Sequence, residues 1–159
     1  MEKDSRRMKN ELEICGGTVK IMSGIDWSKS ESIDLLHIAE CFAERGSDVI
    51  ILHPVHFKDP YYSTIFGQLI GTKYERKCPD LLIDGLFYEY ESYVNPWSKR
   101  KLSNMISDGL RQSDRIIINN RSGVSQRQIL RSIRARLDIN AIITEVWTYD
   151  GLGIMKVYP

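Results

Sequence analysis

Asp80-Leu81-Leu82-Ile83-Asp84-Gly85-Leu86-Phe87-Tyr88-Glu89-Tyr90-Glu91-Ser92 is the stretch on which the fold turns. Asp84-Gly85 separates two apolar runs by two residues, a pair that favours a type I′ β-hairpin because both turn positions need positive φ. With these two in the turn, Ile83 faces Leu86, Leu82 faces Phe87, Leu81 faces Tyr88 and Asp80 faces Glu89. Side chains alternate along a strand, so Glu91 shares the sheet face of Glu89 and lies diagonal to Asp80. Three carboxylates then share one patch. Like charges directly opposite each other are destabilising, so the patch calls for a bound cation, a basic neighbour, a shared proton or plain exposure to water. Mg²⁺ suits the first case, since it takes one or two carboxylates and completes its shell with water and substrate phosphate.

Upstream, Ile33, Leu36, Ala39, Phe42 and Ala43 recur at helical spacing between Ser30 and Arg45, and Gly46 stops the helix. Val49-Ile50-Ile51-Leu52 then reads as a buried strand, bounded by His53-Pro54. Residues 54–78 carry Pro54, Pro60, Gly67 and Gly71 and predict an irregular excursion with a short helix. Downstream, 98–112 is helical on the stripe Leu102, Met105, Ile106 and Leu110, and 115–118 is a strand. A further helix spans 125–137, where Ser125 and Gln128 have capping-box spacing. Residues 141–149 and 153–158 flank Asp150-Gly151 as a terminal hairpin.

The fold class is therefore α/β (α+β): a central mixed β-sheet with flanking helices and a C-terminal β-hairpin, its first part in the order αβββαβ. Residues 1–17 read as a polar, partly helical and loosely held lead-in, and 18–159 as a single domain. With 159 residues, 42% hydrophobic and 27% charged, the composition is that of a globular domain. A net charge of +1, from 22 basic and 21 acidic residues, means that any nucleic-acid surface is local. The start, MEKDSRRMKN, has no apolar run behind it, and no stretch approaches the roughly 18 apolar residues of a membrane span. Three widely spaced cysteines, Cys15, Cys41 and Cys78, argue for a reducing, cytoplasmic setting.

Pro79-Asp80, the hairpin and Glu89-Tyr90-Glu91 resemble the PD-(D/E)XK nuclease motif. With Ala39 to Gly46 before the first strand and Gln112-Ser113-Asp114-Arg115-Ile116-Ile117-Ile118-Asn119 after the hairpin, the chain is similar to the nuclease toxin domains of bacterial contact-dependent growth inhibition proteins. Many of these cut transfer RNA. The resemblance covers residues 30–158 and implies a restriction-endonuclease-like core hydrolysing phosphodiester bonds, with RNA and an immunity or inhibitor protein as partners. It implies that Asp80 and Glu89 hold a divalent ion, Mg²⁺ or Mn²⁺, which polarises the phosphodiester and lowers the pKa of a bound water. Glu91 is then a third ligand or the base. The family pattern has Lys where this chain has Glu91, so a basic residue enters from elsewhere, Lys99, Arg100 and Lys101 being nearest, or the activity is lost. A helix-one acid often completes such sites, which puts forward Glu31 and Asp34, with His37 beside them.

Arg127, Arg131 and Arg134 share one helix face and, with Lys99, Arg100, Lys101, Arg115 and Arg121, supply enough charge for a phosphate-tracking groove; a wet charged face is the plain alternative. Tyr93 and Trp97 are suited either to stacking on unpaired bases or to packing at a rim. His53-Pro54-Val55-His56 reads as a loop, since no second ligand pair accompanies it at zinc spacing. Two other functions stay open: a catalytically degenerate nuclease fold that binds protein or nucleic acid, and a metal-independent ribonuclease using His37, His56 or a Tyr.

Overall fold

The computed structural model of this chain describes residues 8–14, 16–94 and 96–159. It is a mixed α/β protein whose chain divides into two compact units, one through Phe87 and one from Tyr88.

In the first unit β1 (Met8–Ile14) pairs antiparallel with β2 (Gly17–Met22), β2 runs parallel to β3 (Asp48–Ile51), and β4 (Leu81–Ile83) is antiparallel to β3. Parallel neighbours need a crossover, and α1 (Ser30–Glu44) supplies it, packing on β2 and β3. Register aligns Val19 with Val49 and Ile21 with Ile51, while Ile83 and Leu81 meet the same two β3 residues from the other side. All six are buried on one sheet face, each contributing about 1.5–3 kcal/mol of hydrophobic stabilisation. A second cluster joins Met22, Leu52 and Phe87 to Tyr62 and Phe66 of the short helix α2 (Tyr61–Phe66), with Tyr62 and Phe66 stacked at 5.2 Å.

Two expectations are corrected here. The described part of the lead-in is strand, not helix: Leu12 and Ile14 alternate at period two and the chain turns back at Gly16 into β2. Residues 1–7 and Cys15 lie outside the described residues. In α1 the expected stripe holds at Ala39, Phe42 and Ala43, which are buried, but not at its start, where Ile33 is 58% exposed and Ser32, Asp34, Leu35 and Ile38 are buried instead.

The second unit follows β5 (Leu86–Glu91), whose last four residues belong to it, with α3 (Lys99–Leu110), β6 (Arg115–Asn119), α4 (Gln126–Leu137), β7 (Glu145–Tyr149) and β8 (Ile154–Tyr158). β5, β6 and β7 are parallel neighbours, and β8 closes the set antiparallel to β7. Both crossover helices cover one face, where Leu102, Met105 and Ile106 of α3 and Ile129 and Ile133 of α4 pack on Ile116, Ile118, Val146 and Val157. Ser98 Oγ caps α3 by accepting from Lys101 N at 3.4 Å, and Ser125 Oγ caps α4 by accepting from Gln128 N at 3.3 Å. Among the described residues no helix is long and apolar enough to cross a membrane. Cys41 and Cys78 take part in no disulfide.

Candidate functional site

The carboxyl ends of parallel strands leave a crevice where the chain departs into its crossover, a common place for ligands. In the first unit that crevice is an open cleft of about 280 Å³. Its walls are the β2–α1 loop, the first turn of α1, the segment after β3, and Asp80. Because β4 runs antiparallel to β3, the residue that begins β4 stands beside the residue that ends β3, and Leu52 N donates to Asp80 O at 2.8 Å. Half-buried Asp80 is thereby brought to the same cleft as Glu31, Lys29 and His53.

Each of these groups is placed by local structure. Gly24 has φ +97°, and a Cβ there would lie 3.3 Å from Nε2 and Cδ2 of His53, so the imidazole rests directly on the glycine. His53 Nδ1 lies 2.9 Å from the Pro54 carbonyl, which only accepts, so Nδ1 is the donor of that bond. Loss of solvent around the Glu31 carboxyl pushes its pKa up, Lys29 opposing and Asp34 adding to the shift. Asp26 is the counterpart: the Ser28 hydroxyl at 2.6 Å and the Ser28 amide at 3.0 Å hold its carboxyl below the usual range. The cleft is thus lined by two carboxyls whose pKa values are shifted in opposite directions, Asp26 downward and the exposed Glu31 upward.

Asp84 and Gly85 have φ +49° and +82°, as the expected two-residue turn demands. Glu89 and Glu91 lie in the second unit, where their register partners are Ile116 and Ile118. Parallel partners point the same way, so both acids are on the helix-covered face of that unit's sheet, and Glu89 Oε2 is sealed from solvent. Glu91 Cγ would lie 3.1 Å from a Cβ on Gly109, so the glycine lets α3 approach the strands closely. Among the described residues no group of three His, Cys, Asp or Glu side chains is placed to hold a metal ion. Asp26, Glu31 and Asp80 are the carboxyls that line the first unit's cleft.

The basic residues separate by role. Lys99 and Arg131 line one cleft of the second unit together with Trp97. Lys101 is engaged by its own segment, its Nζ donating to the carbonyls of Val94 and Pro96. Arg100, Arg127 and Arg134 are exposed on their helices. His37 is half-buried in α1, and Asp34 is buried.

His53 escaped the sequence reading as a loop residue; its position directly after a strand paired in parallel was the available signal. A second polar centre also had no local signature. Glu145 accepts from the Tyr88 hydroxyl and pairs with Lys156 Nζ at 2.8 Å and Arg115 Nε at 3.3 Å. Burial alone would push Glu145 up, but the bonds from Lys156 and Tyr88 and the charges of Lys156 and Arg115 bring it below its ordinary value.

Comparison with protein-family models, with curated proteins and with solved structures finds no match.

Proposed function

We propose that the chain is a nuclease domain that hydrolyses phosphodiester bonds of RNA, with its reaction centre in the cleft that holds Asp80 and Glu31. The observation that carries this reading is the meeting of Asp80, the acid of the Pro79-Asp80 motif, with a helix-one carboxyl, a lysine and an imidazole in one open cleft. Two carboxyls are what a catalytic Mg²⁺ or Mn²⁺ requires of the protein, and such an ion would polarise the scissile phosphate and supply hydroxide at neutral pH. Lys29 offsets phosphate charge, and His53 Nε2 is an acceptor for the water's proton. The chain order α1, β3, β4, β5, α3, β6, interrupted by α2, supports a restriction-endonuclease-like core.

The test is cleavage of a mixed RNA pool in Mg²⁺ or Mn²⁺, alongside calorimetric titration with Mn²⁺, for the wild type and for Asp80→Asn, Glu31→Gln and Glu89→Gln separately. Outer-shell partners of a metal are worth about 10–100-fold, so loss of Asp80 is expected to cost at least about a hundredfold in rate and to weaken Mn²⁺ binding. Equal rates and equal Mn²⁺ binding in wild type and Asp80→Asn would remove the assignment.

His53 and Glu31 favour a second reading, a metal-independent ribonuclease. Nε2 takes the proton of the ribose 2′-OH, the 2′-oxygen bonds to phosphorus, the bond to the 5′-oxygen breaks, and protonated Glu31 returns a proton to that oxygen. A 2′,3′-cyclic phosphate product and full activity in a chelator mark this route.

A further inference from the structure

We propose that the Trp97 cleft of the second unit is a slot for one unpaired nucleotide of single-stranded RNA; this rests on the nuclease reading above and adds a binding site that shares no lining residue with the Asp80 cleft. The cleft holds about 180 Å³ between the start of α3 and the face of α4. Leu102 and Val124 supply apolar surface, Lys99 and Arg131 supply positive charge, and Gln128 supplies an amide able both to donate and to accept. Among the described residues lining it, none is acidic.

The aromatic wall is held before any ligand arrives. Trp97 packs edge to face on Tyr93, their centroids 5.2 Å apart, and the Lys101 ammonium lies 5.8 Å from the Tyr93 ring. The same ammonium gathers the Val94 and Pro96 carbonyls and so fixes the segment that carries Trp97. A flat apolar ring beside two cations matches a nucleobase followed by its phosphate, and stacking of this kind tolerates any base. An acidic peptide would use the charges and leave the tryptophan unexplained.

Binding of a fluorescein-labelled, mixed-sequence 12-nucleotide RNA is measured by anisotropy over a salt series, with the full chain in EDTA to suppress metal-dependent cleavage. Inorganic polyphosphate serves as a base-free competitor. Trp97→Ala is expected to weaken binding about tenfold with the salt slope unchanged, and Trp97→Phe to retain most of it. Since Trp97 also packs on the unit's core, the exposed pair Lys99→Ala/Arg131→Ala gives the second readout: about 1.4 units less in the slope of log affinity against log salt, as two phosphate contacts on a single strand require. Wild-type affinity and slope in folded Trp97→Ala and in the double variant would overturn the slot, as would polyphosphate competing as well as RNA. If RNA is still cleaved in Mg²⁺ while the slot variants bind normally, only the slot fails. Trp97-dependent binding without cleavage in either metal or chelator would remove the nuclease reading and leave the slot standing.

Discussion

The His53 imidazole rests on Gly24, where an added Cβ would stand 3.3 Å from Nε2. Gly24→Ala therefore meets two obstacles, a positive φ that L side chains resist by about 1–2 kcal/mol and a ring that must move. The expected outcome is a loss of about 1–2 kcal/mol in urea unfolding, together with a larger fall in RNA cleavage than stability explains, since small misplacements of a reacting group are costly. Full cleavage by a folded Gly24→Ala variant would take His53 out of the chemistry.

Glu145 supplies a pH dependence whose sign is fixed. Its pKa is depressed in the folded chain below the ordinary 4.5, so its stabilisation is present above about pH 4.5 and disappears as pH falls through the folded value. Glu145→Gln is expected to cost about 1.5–3 kcal/mol at pH 7, from loss of hydrogen bonds to a charged group, and to flatten the acid limb of stability against pH. Denaturant unfolding between pH 3 and 7 measures both effects.

Arg136 braces the two crossover helices of the second unit. Its Nη2 donates to Ser103 Oγ at 2.7 Å and to Ser103 O at 3.3 Å. Arg136→Ala is expected to destabilise by about 1–2 kcal/mol, and Arg136→Lys to recover only part of it, because a single ammonium cannot reproduce the planar fork. Urea midpoints of the two variants, compared with the wild type, provide the check.

At Gly17 the first residue of β2 passes under the end of α1, and a Cβ would fall 2.4 Å from the carbonyl oxygens of both Ala43 and Ser47. Neither obstacle is a flexible side chain. Gly17→Ala is expected to cost at least about 3 kcal/mol, above the usual overpacking range, with a matching drop in thermal midpoint.

How much of this was legible depended on how local each signal was. α3 and α4 were read closely because each apolar stripe, and at α4 the capping Ser125 as well, lies within one short window, and the Asp84-Gly85 turn because its residue types answer a backbone requirement. β1 and β2 were missed: Glu11, Glu13 and Lys20 mask a period-two pattern that becomes a strand only by pairing. The face of α1 was misjudged at Ile33 because its first turn borders a cleft, where burial falls on Ser32 and Asp34 instead. Asp80 and Glu31 were both named from the sequence, yet their shared cleft, and the place of His53 in it, depends on β2 and β3 lying side by side. Glu145 and Lys156 meet through strand register, which no short window contains.

The bond from His53 Nδ1 to the Pro54 carbonyl has one more effect. It ties the ring to the backbone of its own loop, so whatever meets Nε2 meets a ring whose orientation the chain itself sets.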